Sequence, residues 1–167
     1  FKAAAEMKDP KALAKVIKKA QRPLLVVGPK ALSIKIGEKL FVEYLVEIAK
    51  AGNIPVCATA HTKGKLEELG LVPDSTYDIM EIINHLKDPE WKGVKGEGNH
   101  DLVLFGGFRT DLGNQGLSTL KHFAPHLRTM TLCKFYYPNA TFSLPNIRKD
   151  EDWKALLEGL VEELKTS

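Results

Sequence analysis

Short unbroken apolar runs alternate along this chain with longer stretches in which apolar residues return every three or four positions. Leu24, Leu25, Val26 and Val27 form one run, closed at once by Gly28-Pro29. Such a run, rich in β-branched residues, reads as a strand buried on both faces, the kind found in parallel sheets. Pro23 is tolerated at its start, where a missing N–H matters least. The pattern recurs, predicting strands over 24–28, 54–59, 101–106 and 128–133. Between the runs, Leu13, Val16, Ile17 and Ala20 fall at helical spacing, as do Leu40, Phe41, Tyr44, Leu45, Ile48 and Ala49. Ile79, Ile82, Ile83 and Leu86 mark a further helix, 112–123 another, and Trp153, Leu156, Leu157, Leu160, Val161 and Leu164 a last one. Alternation of this kind predicts one α/β domain over residues 1–167, with a mainly parallel sheet of about five or six strands and helices on both faces.

Boundary residues sharpen the picture. Asp9-Pro10 is an N-cap followed by proline at the first helical position. The second helix is expected over 37–51, ending on Gly52-Asn53. Asp74-Ser75-Thr76 reads as the cap of the helix around Ile79 to Leu86, Thr110 or Asp111 as the cap of the next, and Asp150 as the opening of the last. Residues 66–71 are apolar enough for a short helical turn, and 92–99, with three glycines and several charges, read as an exposed loop.

Composition narrows the function classes. Of 167 residues, 44% are hydrophobic and 27% charged, with a net charge of +3. That is an ordinary globular balance, and its scattered lysines do not make the basic stripe of a nucleic-acid binder. No run has the length of a membrane span. Cys57 and Cys133 both lie in apolar runs and read as buried small hydrophobes, so no disulfide framework is expected and a reducing cytoplasm fits. No signal peptide is visible, although the chain starts at Phe1 without Met, so a native start upstream is expected.

Candidate chemistry gathers where strands end, because open α/β sheets bind ligands at the carboxyl ends of their strands. Gly28, Pro29 and Lys30 follow the first strand; this turn lacks the G-x-G-x-x-G spacing, but its backbone N–H groups can cradle a phosphate. Thr59-Ala60-His61-Thr62-Lys63-Gly64-Lys65 follows the second strand in the place of a binding loop, whose Thr, His and Lys side chains can contact a phosphate or an acidic partner. Gly106 and Gly107 close the third, and Arg109 just beyond offers a planar fork of donors for phosphate or carboxylate. Gly28, His61, Gly107 and Arg109 are expected to converge on one cleft. Phe135, Tyr136, Tyr137 and Pro138 form an aromatic cluster after the last strand, read either as core or as an interface patch that a partner covers. No spacing of His, Cys, Asp or Glu matches a metal site, and Ser33, Ser118 and Ser143 lack a nucleophile context. These residues point to a binding or scaffold domain before an enzyme.

Two resemblances rest on these residues. Arg22 through Pro29, taken with His100 through Arg109, is similar to the central domain of thiamine-diphosphate enzymes, a fold of the DHS-like NAD/FAD-binding type in which Gly107-Phe108-Arg109 and the first glycine turn flank a flavin or nucleotide. Over nearly the whole chain, Pro23 to Pro29, Pro55 through His61 and Asp101 through Thr110 resemble the epsilon-subunit family of the archaeal acetyl-CoA decarbonylase/synthase complex. That resemblance implies a Rossmann-like three-layer fold. It also implies a large nickel–iron–sulfur carbon monoxide dehydrogenase subunit as partner, two copies of each, and a role in stabilising that subunit or aiding electron transfer to FAD. Gly28, Pro29, Lys30, Thr59, His61, Gly106, Gly107 and Arg109 are then the candidate flavin site, with Pro29 withholding one N–H donor. The alternative expectation is a free-standing flavin- or nucleotide-binding domain.

Overall fold

A computed structural model describes residues 2–166. Its spine is a strand pair. Pro23–Val27 (β2) lies parallel to Leu102–Gly106 (β7), in register from Pro23 opposite Leu102 to Val27 opposite Gly106. Every residue of β7, and all of β2 after Pro23, is buried, as expected of strands covered on both faces. The Asp101 carboxylate fixes this register from the amino end, accepting the backbone N–H groups of Gln21 and Arg22 at 2.8 Å each.

The remaining elements, in chain order, are β1 (Ala5–Glu6), α1 (Pro10–Lys19), β3 (Lys35–Ile36), β4 (Lys39–Leu40), α2 (Phe41–Gly52), β5 (Val56–Ala58), α3 (Ala60–Glu68), β6 (Ser75–Thr76), α4 (Ile79–Lys87), α5 (Thr110–Phe123), β8 (Arg128–Thr131), β9 (Phe142–Ser143) and α6 (Asp150–Lys165). Seven strands form one sheet in the order β1-β9-β8-β7-β2-β5-β6, with every neighbouring pair parallel. The chain builds outward from β2 through β5 to β6, then crosses back to β7 on the other side. The switch point of this doubly wound sheet therefore lies between β2 and β7, where such folds open their ligand crevice. Residues alternate between two apolar layers. Leu25, Val27, Leu102 and Leu104 face α1, α2 and α6; Leu24, Val26, Val103 and Phe105 face α4 and α5. The result is a Rossmann-like three-layer α/β fold.

Several boundaries moved, each for a local reason. The sheet has seven strands rather than about five or six, because β1, β6 and β9 are two-residue pieces, β1 and β6 at the edges and β9 beside β1, with no apolar run to announce them. Ser75 and Thr76 form β6 instead of capping a helix. The Asp74 carboxylate accepts the Val56 N–H at 2.9 Å, and Asp78 takes over the cap, exchanging bonds with Glu81 in a capping box. The helix expected over 37–51 starts at Phe41, since residues 35–40 fold into the β3–β4 hairpin around Gly37, at φ 68°. Its C-terminus is as expected: Asn53 takes the left-handed conformation at φ 51°. The segment read as a loop at 59–65 is the first part of α3, with Thr59 at the N-cap. Its residues are polar almost all round, so no stripe marked it as helical. Arg109, not Thr110 or Asp111, is the N-cap of α5, whereas α6 opens at Asp150 as expected, with Lys149 as its N-cap.

The aromatic cluster divides. Tyr137 is buried in the α4–α5 layer, and Tyr136 donates its hydroxyl to the Ala4 carbonyl at 2.6 Å; Phe135, 48% exposed, and Pro138 stand at the surface. Tyr137 therefore takes the core reading, and Phe135 and Pro138 are the members of the cluster left at the surface. On the opposite face Trp153 packs against Phe41, rings tilted by 55° with centroids 4.7 Å apart, and donates its indole N–H to the Leu132 carbonyl at 3.0 Å. Trp153→Ala is expected to remove about 3–5 kcal/mol of stability, the scale for deleting a buried aromatic. Urea unfolding of wild type and variant measures this, and a loss under about 1 kcal/mol would show that α6 is not held by this residue.

Candidate functional site

The carboxyl edge at the switch point is a contact between two main chains. Gly28 donates its N–H to the Gly106 carbonyl at 2.8 Å, and Lys30 donates to the Gly107 carbonyl at 2.7 Å. A Cβ on Gly28 would lie 2.6 Å from both the Gly107 oxygen and the Phe108 ring. Gly107 sits at φ 89°, and a Cβ there would lie 2.6 Å from the Ala31 nitrogen. Glycine is needed at both positions, at the first for close approach and at the second also for backbone sign. Gly106 is buried beneath Leu45 and Phe41. The first turn, a 3-10 segment over Pro29–Leu32, is thereby tied to the end of β7.

This arrangement decides what the turn offers a ligand. The N–H groups of Gly28 and Lys30 are committed to β7, that of Ala31 to the Gly28 carbonyl, and Pro29 has none. The turn is not an open phosphate cradle. Open donors lie to either side. Thr59 precedes α3 and Arg109 precedes α5, and neither side chain caps its own helix; the first-turn amides of α3 keep their anion-attracting character, whereas in α5 the Asp111 carboxylate already takes the Leu112 N–H. Thr59 is buried; its hydroxyl lies 3.1 Å from that of Thr62, which donates in turn to the Thr59 carbonyl at 2.8 Å. Lys30 and His61 are exposed at this edge. Arg109 is also exposed and folds its guanidinium back on Asp111, at 2.8 and 3.2 Å. The hydrogen bond from Leu112, then the Arg109 pair, hold the Asp111 carboxyl below its usual range.

Gly28, Pro29, Lys30, Gly106 and Gly107 are thus joined directly, whereas Thr59, His61 and Arg109 belong to two flanking helix starts. Phe108, the middle residue of the Gly107-Phe108-Arg109 segment, occupies the space above Gly28 and meets Phe105 edge-on at 6.2 Å. Beside it lies a narrow apolar cavity lined by Phe105, Phe108, Gly113, Gly116, Cys133 and Tyr137, among others. Burial pushes the Cys133 and Cys57 thiols up, so both stay protonated at neutral pH and are poor nucleophiles or ligands. Burial, reinforced by Cys133, raises the Tyr137 phenol to about 12. Among the described residues, no group of three or more His, Cys, Asp or Glu stands where it could hold a metal ion. No helix among them is long and apolar enough to cross a membrane.

Fold and edge together define a doubly wound α/β domain with a sealed glycine contact where related folds bind nucleotides. Residues 1–161 match the family model described as CO dehydrogenase beta subunit/acetyl-CoA synthase epsilon subunit, and the chain belongs to that family. It is 45% identical, over 92% of its own length and 85% of the relative's, to the acetyl-CoA decarbonylase/synthase complex subunit epsilon of Methanothermobacter thermautotrophicus. It is 41% identical to epsilon 1 of Archaeoglobus fulgidus, over 93% and 82% of the two chains. Against epsilon 1 of Methanosarcina barkeri the identity is 37%, over 93% and 87%.

Gly107→Ala is expected to cost about 1–3 kcal/mol through the forced left-handed backbone and the clash with Ala31. Arg109→Ala, which removes only an exposed ion pair, is expected to leave the melting temperature unchanged. Thermal unfolding of the two variants side by side checks both; equal stability for Gly107→Ala and wild type would mean that the glycine contact does not hold the edge together.

Proposed function

We propose that this chain is a single-domain accessory subunit of the carbon monoxide dehydrogenase component of an acetyl-CoA decarbonylase/synthase complex. It braces the large nickel–iron–sulfur subunit, two copies of each, and holds a flavin near it for electron transfer. The observation that carries the reading is the family match over 1–161, together with relatives named as epsilon subunits of that complex. The side chains support a positional role: their thiols are protonated, and the described residues offer no group of donors suited to a cluster. Cluster chemistry then belongs to the partner.

The flavin part of the proposal is narrowed by the geometry. FAD carries a pyrophosphate, and the closed turn at Gly28-Pro29 does not fit it. We assign the pyrophosphate instead to the N-terminal amides of α3, with Lys30, His61 and Arg109 as surrounding cations or donors, the type of site that helix termini provide for phosphates; in α5 the Asp111 carboxylate takes the Leu112 N–H. A flavin held there would supply one- or two-electron acceptance; the protein's part is to place it and neutralise its phosphates. Use of Arg109 requires exchanging its Asp111 partner for the ligand.

The assembled chain is expected to copurify with a nickel- and iron-containing subunit from native extract, as metal analysis of a tagged pull-down would show. Recovery of the intact chain alone would contradict the accessory role. Flavin fluorescence titration of the complex tests the second part: Arg109→Ala should weaken binding by roughly 1.5–3 kcal/mol, the scale for hydrogen bonds to charged groups. Absence of saturable flavin binding by wild-type complex would remove the flavin while leaving the bracing role intact.

A further inference from the structure

At the opposite, amino-terminal edge of the sheet, the glycine-rich segment 92–99 crosses a cleft of about 230 Å³ lined by Arg22, Asn53, Lys95, Glu97 and His100, among others. Gly93, Gly96 and Gly98 all have positive φ, at 79°, 71° and 136°. The segment carries no regular structure of its own; it closes on itself through Gly98 N–H to the Lys92 carbonyl at 2.8 Å and Gly96 N–H to the Gly93 carbonyl at 3.2 Å. Its middle is held by the half-buried Val94 side chain, which packs against the α4–α5 layer, and by hydrogen bonds to one imidazole. His100, 5% exposed, has Nδ1 at 2.9 Å from the Arg22 carbonyl and Nε2 at 3.2 Å from the Val94 backbone nitrogen. A carbonyl only accepts and a backbone N–H only donates. Nδ1 therefore carries the hydrogen, and Nε2 accepts with its lone pair. Both ring nitrogens are committed, and only the neutral ring satisfies both.

We propose that His100 is the catch of a proton-released clasp: the neutral imidazole holds segment 92–99 shut over the amino edge, and protonation at Nε2 releases it. A proton there would set two N–H donors head to head at Val94. The surroundings do not rescue the charged ring. Trp91 covers it at 5.6 Å between centroids, with His85 stacked on the far side of Trp91 at 5.0 Å. The Arg22 guanidinium packs against Gly98 and adds a like charge. Lys95 and Glu97 line the same cleft with opposite signs. Asp101 favours protonation, but its carboxylate already accepts two backbone N–H groups at Gln21 and Arg22. Burial is the largest influence and lowers the proton affinity of His100 below its ordinary value. The sign follows. Closure is fully present above the ordinary histidine value near pH 6.5 and is lost as pH falls through the lower value of the closed state.

The test is a pH series from 8 to 5 on the full chain by NMR, following the His100 ring nitrogens, the exchange of the Val94 and Gly98 amides, and Trp91 fluorescence. The expected result is loss of Val94 protection, with a change at Trp91, at the midpoint of His100's own titration. His100→Gln keeps an acceptor that takes no proton and is expected to hold the segment closed throughout. His126→Gln, at the other imidazole near the segment's end, is expected to retain the transition. Titration of His100 while Val94 stays protected would overturn the proposal. So would opening of His100→Gln at the same pH as wild type, or loss of the transition in His126→Gln. If His100→Gln does not fold, agreement or disagreement of the wild-type midpoints decides alone.

Discussion

Two stretches of main chain meet at the switch point with no side chain between them. Gly28 and Gly107 approach so closely that a methyl group on either would lie 2.6 Å from a neighbouring backbone atom. The contact joins the carboxyl ends of the two central strands and ties the turn after β2 to the β7–α5 connection. Everything around it depends on that closure. α5 starts from the end of β7, α2 follows the turn through the β3–β4 hairpin, and Phe108 fills the space above. The usual phosphate-binding turn of such folds is converted here into a structural joint. Ligand-accessible charge is displaced to the start of α3 and to Arg109 before α5.

That joint explains where sequence reading succeeded and where it did not. β2 and β7 were legible because a strand buried on both faces must be apolar at every position. α2 and α6 were legible because their buried residues return at helical spacing. The glycines at 28, 106 and 107 were visible as residues, but their purpose was not: close approach is a property of two segments distant in sequence. The same holds for Thr59, whose hydroxyl is turned toward Thr62 rather than outward. α3 was missed because only Thr62 and Leu66 of its residues are buried, too few to make a stripe. β6 was missed because Asp74-Ser75-Thr76 has the composition of a cap, and only the tertiary bond from Val56 to Asp74 reveals the strand. Tyr137 and Phe135 look alike in sequence, and only packing assigns one to the core and the other to the surface.

The physical character of the molecule suits a part that works by position. Its thiols are held protonated by burial, its carboxylates cap helices, fix register or stand at the surface, and its one buried histidine holds a loop rather than facing the switch-point edge. Membership of the epsilon-subunit family accords with this.

Hydrogen exchange on the free chain and on the assembled, flavin-loaded complex tests the sealed edge most directly. The amides of Gly28 and Lys30 should already be strongly protected in the free chain, because β7 carbonyls hold them, and should change little on assembly. New protection should arise at the first turn of α3. Fast exchange at Gly28 and Lys30 in the free chain, with protection gained only when flavin or partner binds, would show that the turn is an open cradle after all and that the glycine contact is not what organises this protein.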